Sequence, residues 1–211
     1  MAFINYFYGS YQINSESRDY VEKKINFKIV SAGTNLSEFK DPNLVVRKLI
    51  TFSEPNKDQE TIFVWPEGVI LDVNFEKLEE IKKLFRENFS KKHLIILGAN
   101  TKKTDNQNEN FYNSLVIVDR DLNIIDQYDK KKLVPFGEFL PFEKILNRIG
   151  LKKITPGYSS FSKGKSNSII SLKFNNQNIN LLPLICYEII FPNLLENKKN
   201  KFDFVINISE D

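Results

Sequence analysis

Glu67, Lys130 and Cys186 supply a carboxylate, an amine and a thiol, each standing where a run of apolar residues ends. Together such groups can run covalent acyl chemistry. The thiol attacks, the carboxylate takes its proton, and the ammonium meets the negative charge that develops on the attacked oxygen. Taken singly, each also fits a plainer role. Glu67 follows Trp65-Pro66 and suits a polar turn, and Lys130 opens the basic run Lys130-Lys131-Lys132, which suits a solvated face. Cys186 lies between Ile185 and Tyr187, where a thiol often serves as a small core residue. The local sequence leaves both roles open for all three.

Other chemistries lack their parts. His93 is the single histidine and begins an apolar run, so it is expected at a strand edge and not in a Ser-His-Asp triad. No Gly-x-Ser-x-Gly elbow, phosphate-binding glycine loop, dinucleotide fingerprint or Cys/His cluster occurs, so no metal or nucleotide cofactor is expected. With a single cysteine no internal disulfide can form. The 30 Lys and Arg residues are interspersed with 27 Asp and Glu, a net charge of +3, which argues against nucleic acid as a partner. No apolar stretch approaches the roughly 20 residues that cross a bilayer, and the start of the chain lacks the basic region of a signal peptide.

The elements that must position these groups follow from hydrophobic pattern. Residues 27–33 read as a strand ending in a small-residue turn, and 42–53 as a short amphipathic helix carrying Leu44, Val45, Leu49 and Phe52. Thr61-Ile62-Phe63-Val64-Trp65 is nearly unbroken in apolar character, as in a strand covered on both faces, and it stops at Pro66-Glu67-Gly68. A helix is expected over 75–89, a third strand over 93–99, and a polar loop over 100–110. Residues 114–119 and 124–128 pair as a hairpin, 168–174 and 179–182 as another across Asn175-Asn176-Gln177-Asn178. A segment 184–188, a helix near 192–198 and an apolar strand over 202–209 close the pattern. Helices alternate with strands early and hairpins follow, which predicts an α/β layered fold around a mixed sheet. In such sheets ligands sit at strand ends, where residues distant in sequence can converge.

Three motifs, met in order, resemble one family. Tyr128-Asp129-Lys130-Lys131-Lys132-Leu133-Val134-Pro135-Phe136-Gly137-Glu138-Phe139-Leu140-Pro141 is similar to the Tyr-x-Lys-x-x-Leu-Val-Pro-Phe-Gly-Glu-x-x-Pro signature of apolipoprotein N-acyltransferases. Trp65-Pro66-Glu67 resembles that family's general-base motif, and Ile185-Cys186-Tyr187-Glu188 its nucleophile motif. Gly98-Ala99, Asn113-Ser114 and Thr155-Pro156-Gly157 are weaker echoes, and the resemblance spans roughly residues 27–209. The family usually continues Asn-Ile-Ser-Asn-Asp-x-Trp-Phe, whereas Ser209 is followed here by Glu210-Asp211.

The resemblance implies a nitrilase-type four-layer α-β-β-α sandwich over residues 25–211, incomplete at its C-terminus, with 1–24 a linker following membrane helices. It implies acyl transfer from a phospholipid donor to a diacylglyceryl-apolipoprotein acceptor through a Cys186 thioester, with no cofactor. Glu67 is then the base, Lys130 the oxyanion partner, and Glu138 and Glu188 carboxylates that orient Lys130 and polarise the pocket. Tyr187 either lines that pocket or packs in the core. The implied setting is the bacterial inner membrane, with the catalytic domain on the periplasmic side of a full-length parent, so the 211 residues alone are expected to be inactive. An amidase or carbamoylase of the wider carbon-nitrogen hydrolase superfamily is the alternative, and an inactive module that keeps the fold is a second.

Overall fold

The computed structural model describes residues 2–15, 24–31, 41–72, 74, 78–105, 108–141, 160–165, 169–195 and 202–210. The strand that orders the fold is β2 (Thr61–Val64), whose four residues are all buried. Successive side chains of a strand point to opposite faces. Phe63 therefore joins one apolar cluster, while Ile62 and Val64 join another. The first sheet runs β1-β2-β3-β4-β5, comprising β1 (Asn26–Ile29), β2, β3 (His93–Asp105), β4 (Asn108–Val118) and β5 (Ile124–Asp129). β1, β2 and β3 are parallel, while β4 and β5 are added antiparallel.

On one face of that sheet lie α2 (Pro42–Ser53) and α3 (Glu79–Asn88), preceded in the chain by α1 (Ala2–Ser15). α2 begins at Asp41, whose carboxylate accepts the Asn43 N–H at 2.9 Å, with Pro42 in the first turn. It ends at Glu54 in a left-handed conformation, with φ of 38°. Val45, Val46, Leu49 and Ile50 face the sheet, and α3 adds Ile81, Leu84 and Phe85. These close around Trp65, whose indole N–H donates to the buried Ser53 hydroxyl at 2.8 Å. The ring of Phe85 meets Trp65 edge-on at 5.5 Å.

The opposite face packs on a second sheet, β6-β7-β8, formed by β6 (Ile170–Phe174), β7 (Gln177–Ile185) and β8 (Phe204–Ile208). Ile62, Ile96, Leu115, Ile117 and Tyr128 meet Ile179, Leu181, Ile185 and Ile208 between the sheets. The described residues thus account for α-β-β, three layers of the expected α-β-β-α sandwich. On the outer side of the second sheet Leu182 and Leu184 are also buried. In the chain, the parallel pair β7 and β8 is separated by a 3-10 turn (Cys186–Ile190) and α4 (Pro192–Leu195).

Several expectations change. The described residues of the polar stretch 100–110 are strand and not loop: β3 and β4 pair there as an antiparallel ladder from Asn100↔Asn113 to Asp105↔Asn108. Its arms reach beyond the core, and Lys102, Lys103 and Thr104 are exposed, so no alternation marks it. The segment 184–188 divides at Ile185, where β7 ends and Cys186 turns into the 3-10 segment. Within the stretch expected as linker, α1 is helical, with Phe3, Ile4, Tyr6, Phe7, Tyr8 and Tyr11 exposed. No helix among the described residues is long and apolar enough to cross a membrane. Thr155-Pro156-Gly157 and residues 75–77 of the expected helix lie outside the described residues. His93 is buried and structural, its Nδ1 accepting the Ser90 N–H at 3.2 Å and its Nε2 2.9 Å from the Asn56 carbonyl.

Phe85→Ala is expected to destabilise the fold by about 3–5 kcal/mol, the range for emptying a buried aromatic site. Urea unfolding followed by the fluorescence of Trp65, the single tryptophan, measures it directly, since the cavity opens against that indole.

Candidate active site

Past Val64 the chain stays on the sheet for two more residues: Trp65 N–H donates to Ile96 O at 2.8 Å, and Pro66 O accepts from Gly98 N–H at 3.0 Å. The chain then folds over β3, with Gly68 at φ of 72° and Ile70 bridging Ala99. Glu67 sits on the fold, its N–H donating to Ser209 O just past β8. Only glycine suits position 98. A Cβ there would lie 2.5 Å from the Glu67 Cα and 2.7 Å from the Gly68 nitrogen.

Lys130 is the first residue after β5, its N–H donating to Asn113 O at 2.9 Å. Its side chain is buried, yet its ammonium is well partnered. Nζ lies 2.9 Å from Glu138 Oε1, 3.3 Å from Glu67 Oε1 and 5.5 Å from the centre of the Tyr187 ring. Asn113 reinforces the arrangement, since its Nδ2 donates to Glu67 Oε1 and to Glu138 Oε1 at 2.7 Å each. Glu138 Oε2 accepts the Val134 N–H at 2.9 Å. Burial acts to lower the Lys130 pKa, but the charges of Glu67 and Glu138 and the bond to Glu138 outweigh it and leave it above its ordinary value. The ammonium therefore keeps its proton.

Cys186 enters from the second sheet. As the first residue of the 3-10 turn it has φ of 56°, a left-handed backbone that costs a side-chain-bearing residue about 1 kcal/mol or more. The sulfur is half-buried against the inter-sheet cluster. Burial raises the thiol pKa and the Glu67 charge adds to that, while Lys130 and the Tyr187 backbone N–H pull the other way without cancelling it. The thiol is therefore protonated near neutral pH and needs a base.

The fully buried carboxylate of Glu188 bonds chiefly to backbone, including that of the two residues after Lys130. Oε1 accepts the N–H groups of Lys131 at 2.8 Å and Lys132 at 2.9 Å, and Oε2 that of Ile185 at 3.0 Å. The Tyr128 hydroxyl donates to it as well, at 3.1 Å. Burial and then the Glu188 charge push the Tyr128 phenol far above its ordinary range, so it stays a donor. Glu188 thus stitches the turn that carries Cys186 to the loop that carries Lys130. Tyr187 is partly exposed and edge-on to Phe191 at 5.5 Å, which places it at the site and not in the core. In sequence Asn113 stood out only within Asn113-Ser114, a weaker echo of the family's motifs, and nothing there signalled its bridging role.

The carbon-nitrogen hydrolase family model matches residues 48–211. An apolipoprotein N-acyltransferase of Rhizobium rhizogenes is 33% identical over 153 residues, 71% of this chain and 28% of that protein. One from Brucella suis is 32% identical over 160 residues, 74% and 29% of the two chains. One from Rickettsia prowazekii is 30% identical over 162 residues, 77% and 31%. The chain thus spans less than a third of these relatives' length. Among solved structures, the CN-hydrolase superfamily protein XC1258 of Xanthomonas campestris superposes with a TM-score of 0.49 at 14% identity, over 80% of this chain and 59% of that one. The C. elegans NitFhit protein does so with a TM-score of 0.49 at 18% identity, over 88% and 42%.

Because Cys186 is the single cysteine, its titration can be read from the alkylation rate with iodoacetamide across pH. The inflection is expected above the free-thiol value of about 8.5, and higher still in Lys130→Met, which loses a charge that lowers it. An inflection at or below the free-thiol value would contradict this electrostatic account. Gly98→Ala is expected to destabilise the fold by about 1–3 kcal/mol, since the added carbon meets backbone that cannot rotate away. Thermal unfolding beside wild type checks it.

Proposed function

The chain belongs to the carbon-nitrogen hydrolase family, and within it we propose that the chain is the thiol-acyltransferase domain of an apolipoprotein N-acyltransferase. It moves a fatty acyl group from a membrane phospholipid to the α-amino group of a lipoprotein's diacylglyceryl-modified N-terminal cysteine. The observation that carries this reading is the Lys130 ammonium held between Glu67 and Glu138, all three lying on the motifs that resemble those enzymes. The names of the relatives point the same way.

In the proposed first half-reaction Glu67 takes the Cys186 proton as sulfur attacks the ester carbonyl of the donor. Asn113 and Lys130 both engage Oε1, so Oε2 is the oxygen available for that proton. Negative charge collects on the carbonyl oxygen, where the Lys130 ammonium and the Tyr187 N–H stabilise it. Collapse expels the glycerol oxygen, which takes the proton from Glu67 and leaves as the alcohol of a lysophospholipid. An acyl thioester remains on Cys186. In the second half the acceptor amine attacks the thioester carbonyl and loses a proton to Glu67, and sulfur leaves as thiolate and recovers that proton. The product is an amide.

On this reading the domain lies at the periplasmic face of a bacterial cytoplasmic membrane, within a longer membrane-bound protein. α1 supports this, because Ala2–Ser15 contains no Asp, Glu, Lys or Arg and turns several aromatic side chains outward. Such helices favour the membrane interface.

Acyl-labelled phospholipid in detergent micelles tests the chemistry. In a full-length parent carrying these motifs, the wild-type enzyme is expected to acquire a hydroxylamine-sensitive label on Cys186 that chases onto a diacylglyceryl peptide. Cys186→Ala should take up none, and Glu67→Gln at least about a hundredfold more slowly. Hydrolysis of small amides without labelling from phospholipid would favour an amidase instead.

A further inference from the structure

Residues 160–165 cross the site without contributing a reacting group, and their bonds fall on the pieces of chain that carry Lys130 and Glu138. The Ser160 hydroxyl oxygen accepts the Leu140 N–H at 3.2 Å, and Phe161 N–H donates to Glu138 O at 2.8 Å. Ser162 ties the segment to β4, its N–H donating to Phe111 O at 2.7 Å and its hydroxyl to Asn110 Oδ1 at 3.1 Å. Gly164 N–H donates to the carbonyl of Lys130 itself at 2.9 Å.

Gly164 is pressed against the preceding peptide. A Cβ there would fall on the Asp129 carbonyl oxygen, 2.7 Å from its carbon and 2.9 Å from the Asp129 Cβ. Asp129 has no room to retreat. Its buried carboxylate is held by Lys103 at 2.6 Å, by the Ser114 hydroxyl at 2.8 Å and by the Gln127 amide. A side chain at position 164 must therefore either lift the strap or displace the peptide that leads into Lys130.

We propose that residues 160–165 form a positioning strap for Lys130, acting through Gly164, whose lack of a side chain lets the strap hold the Lys130 carbonyl and set where the ammonium stands. Gly164 is a positioning residue and touches no reacting atom. The proposal rests on the reading that the Lys130 charge serves the Cys186 thiol.

The test reads that charge at Cys186, which faces Glu67, Lys130, Glu138 and Tyr187. Iodoacetamide alkylation of the full chain is followed across pH for wild type, Gly164→Ala, Ser162→Ala, Lys130→Met and Gly9→Ala, the last adding a methyl in open space. Moving the ammonium away withdraws a group that lowers the thiol pKa. In Gly164→Ala the inflection should therefore rise towards that of Lys130→Met, by about 1 pH unit, with folded circular dichroism. Gly9→Ala should match wild type. A folded Gly164→Ala with the wild-type inflection overturns the proposal. If Gly164→Ala does not fold, Ser162→Ala decides: it removes one tie and adds no bulk, so a smaller upward shift supports the strap and a wild-type profile overturns it. An unchanged profile in Lys130→Met would overturn the Lys130 reading and the strap with it, whereas a shift there with none in Gly164→Ala removes the strap alone.

Discussion

A buried ammonium between two carboxylates is the constraint around which the rest of this site is arranged. Taking Lys130 out of water is tolerable only because Glu67 and Glu138 stand within 3.3 Å of it. Removing one partner of such a buried pair typically destabilises by about 3–5 kcal/mol. The Asn113 amide bridges the two carboxylates and limits how far they can separate. The chemistry proposed for the site needs this, since an ammonium free to seek water would not be waiting where an oxyanion forms.

Two close backbone approaches keep that geometry. Gly98 lets the Glu67 turn lie directly on β3, and Gly164 lets the 160–165 segment lie on the Asp129–Lys130 peptide. At both places a methyl group would overlap main-chain atoms, which have no rotamer to change. The acidic and basic partners are thus set by backbone contacts, and their side chains need only reach across a short gap.

The thiol comes from a different sheet, so the site exists only while the two sheets keep their alignment. Apolar packing of Ile62, Ile117 and Tyr128 on one side against Ile179, Leu181 and Ile185 on the other supplies most of the cohesion between them, but it is non-directional. Direction comes from Glu188, whose buried carboxylate holds the N–H of Ile185 beside Cys186 and those of Lys131 and Lys132 beside Lys130. A carboxylate bonded by three backbone donors is a rigid joint, and here it spans the two sheets.

Much of this was legible in the residues. The unbroken apolar run at Thr61–Val64 states its burial outright, and the helical period in Pro42–Ser53 places Val45 and Leu49 in the core, although Leu44 and Phe52 of the same pattern are exposed. Glu67, Lys130, Cys186 and Glu138 were named through motifs that resemble those of a family, since residue type alone left each of them open to a plainer role. What the chain could not state was which groups would meet. Asn113 reaches Glu67 across 46 residues and Lys130 reaches it across 63, while Glu188 reaches back 57 to Lys131. Contacts at that range leave no periodic trace. The bridging of Asn113 and the need for glycine at 98 and 164 therefore arose only when distant pieces of the first sheet and its loops met, and the backbone joint made by Glu188 only when the two sheets packed. The kinds of side chain and the elements that carry them are properties of the chain read in order, whereas their partners depend on distances that exist only once it has folded.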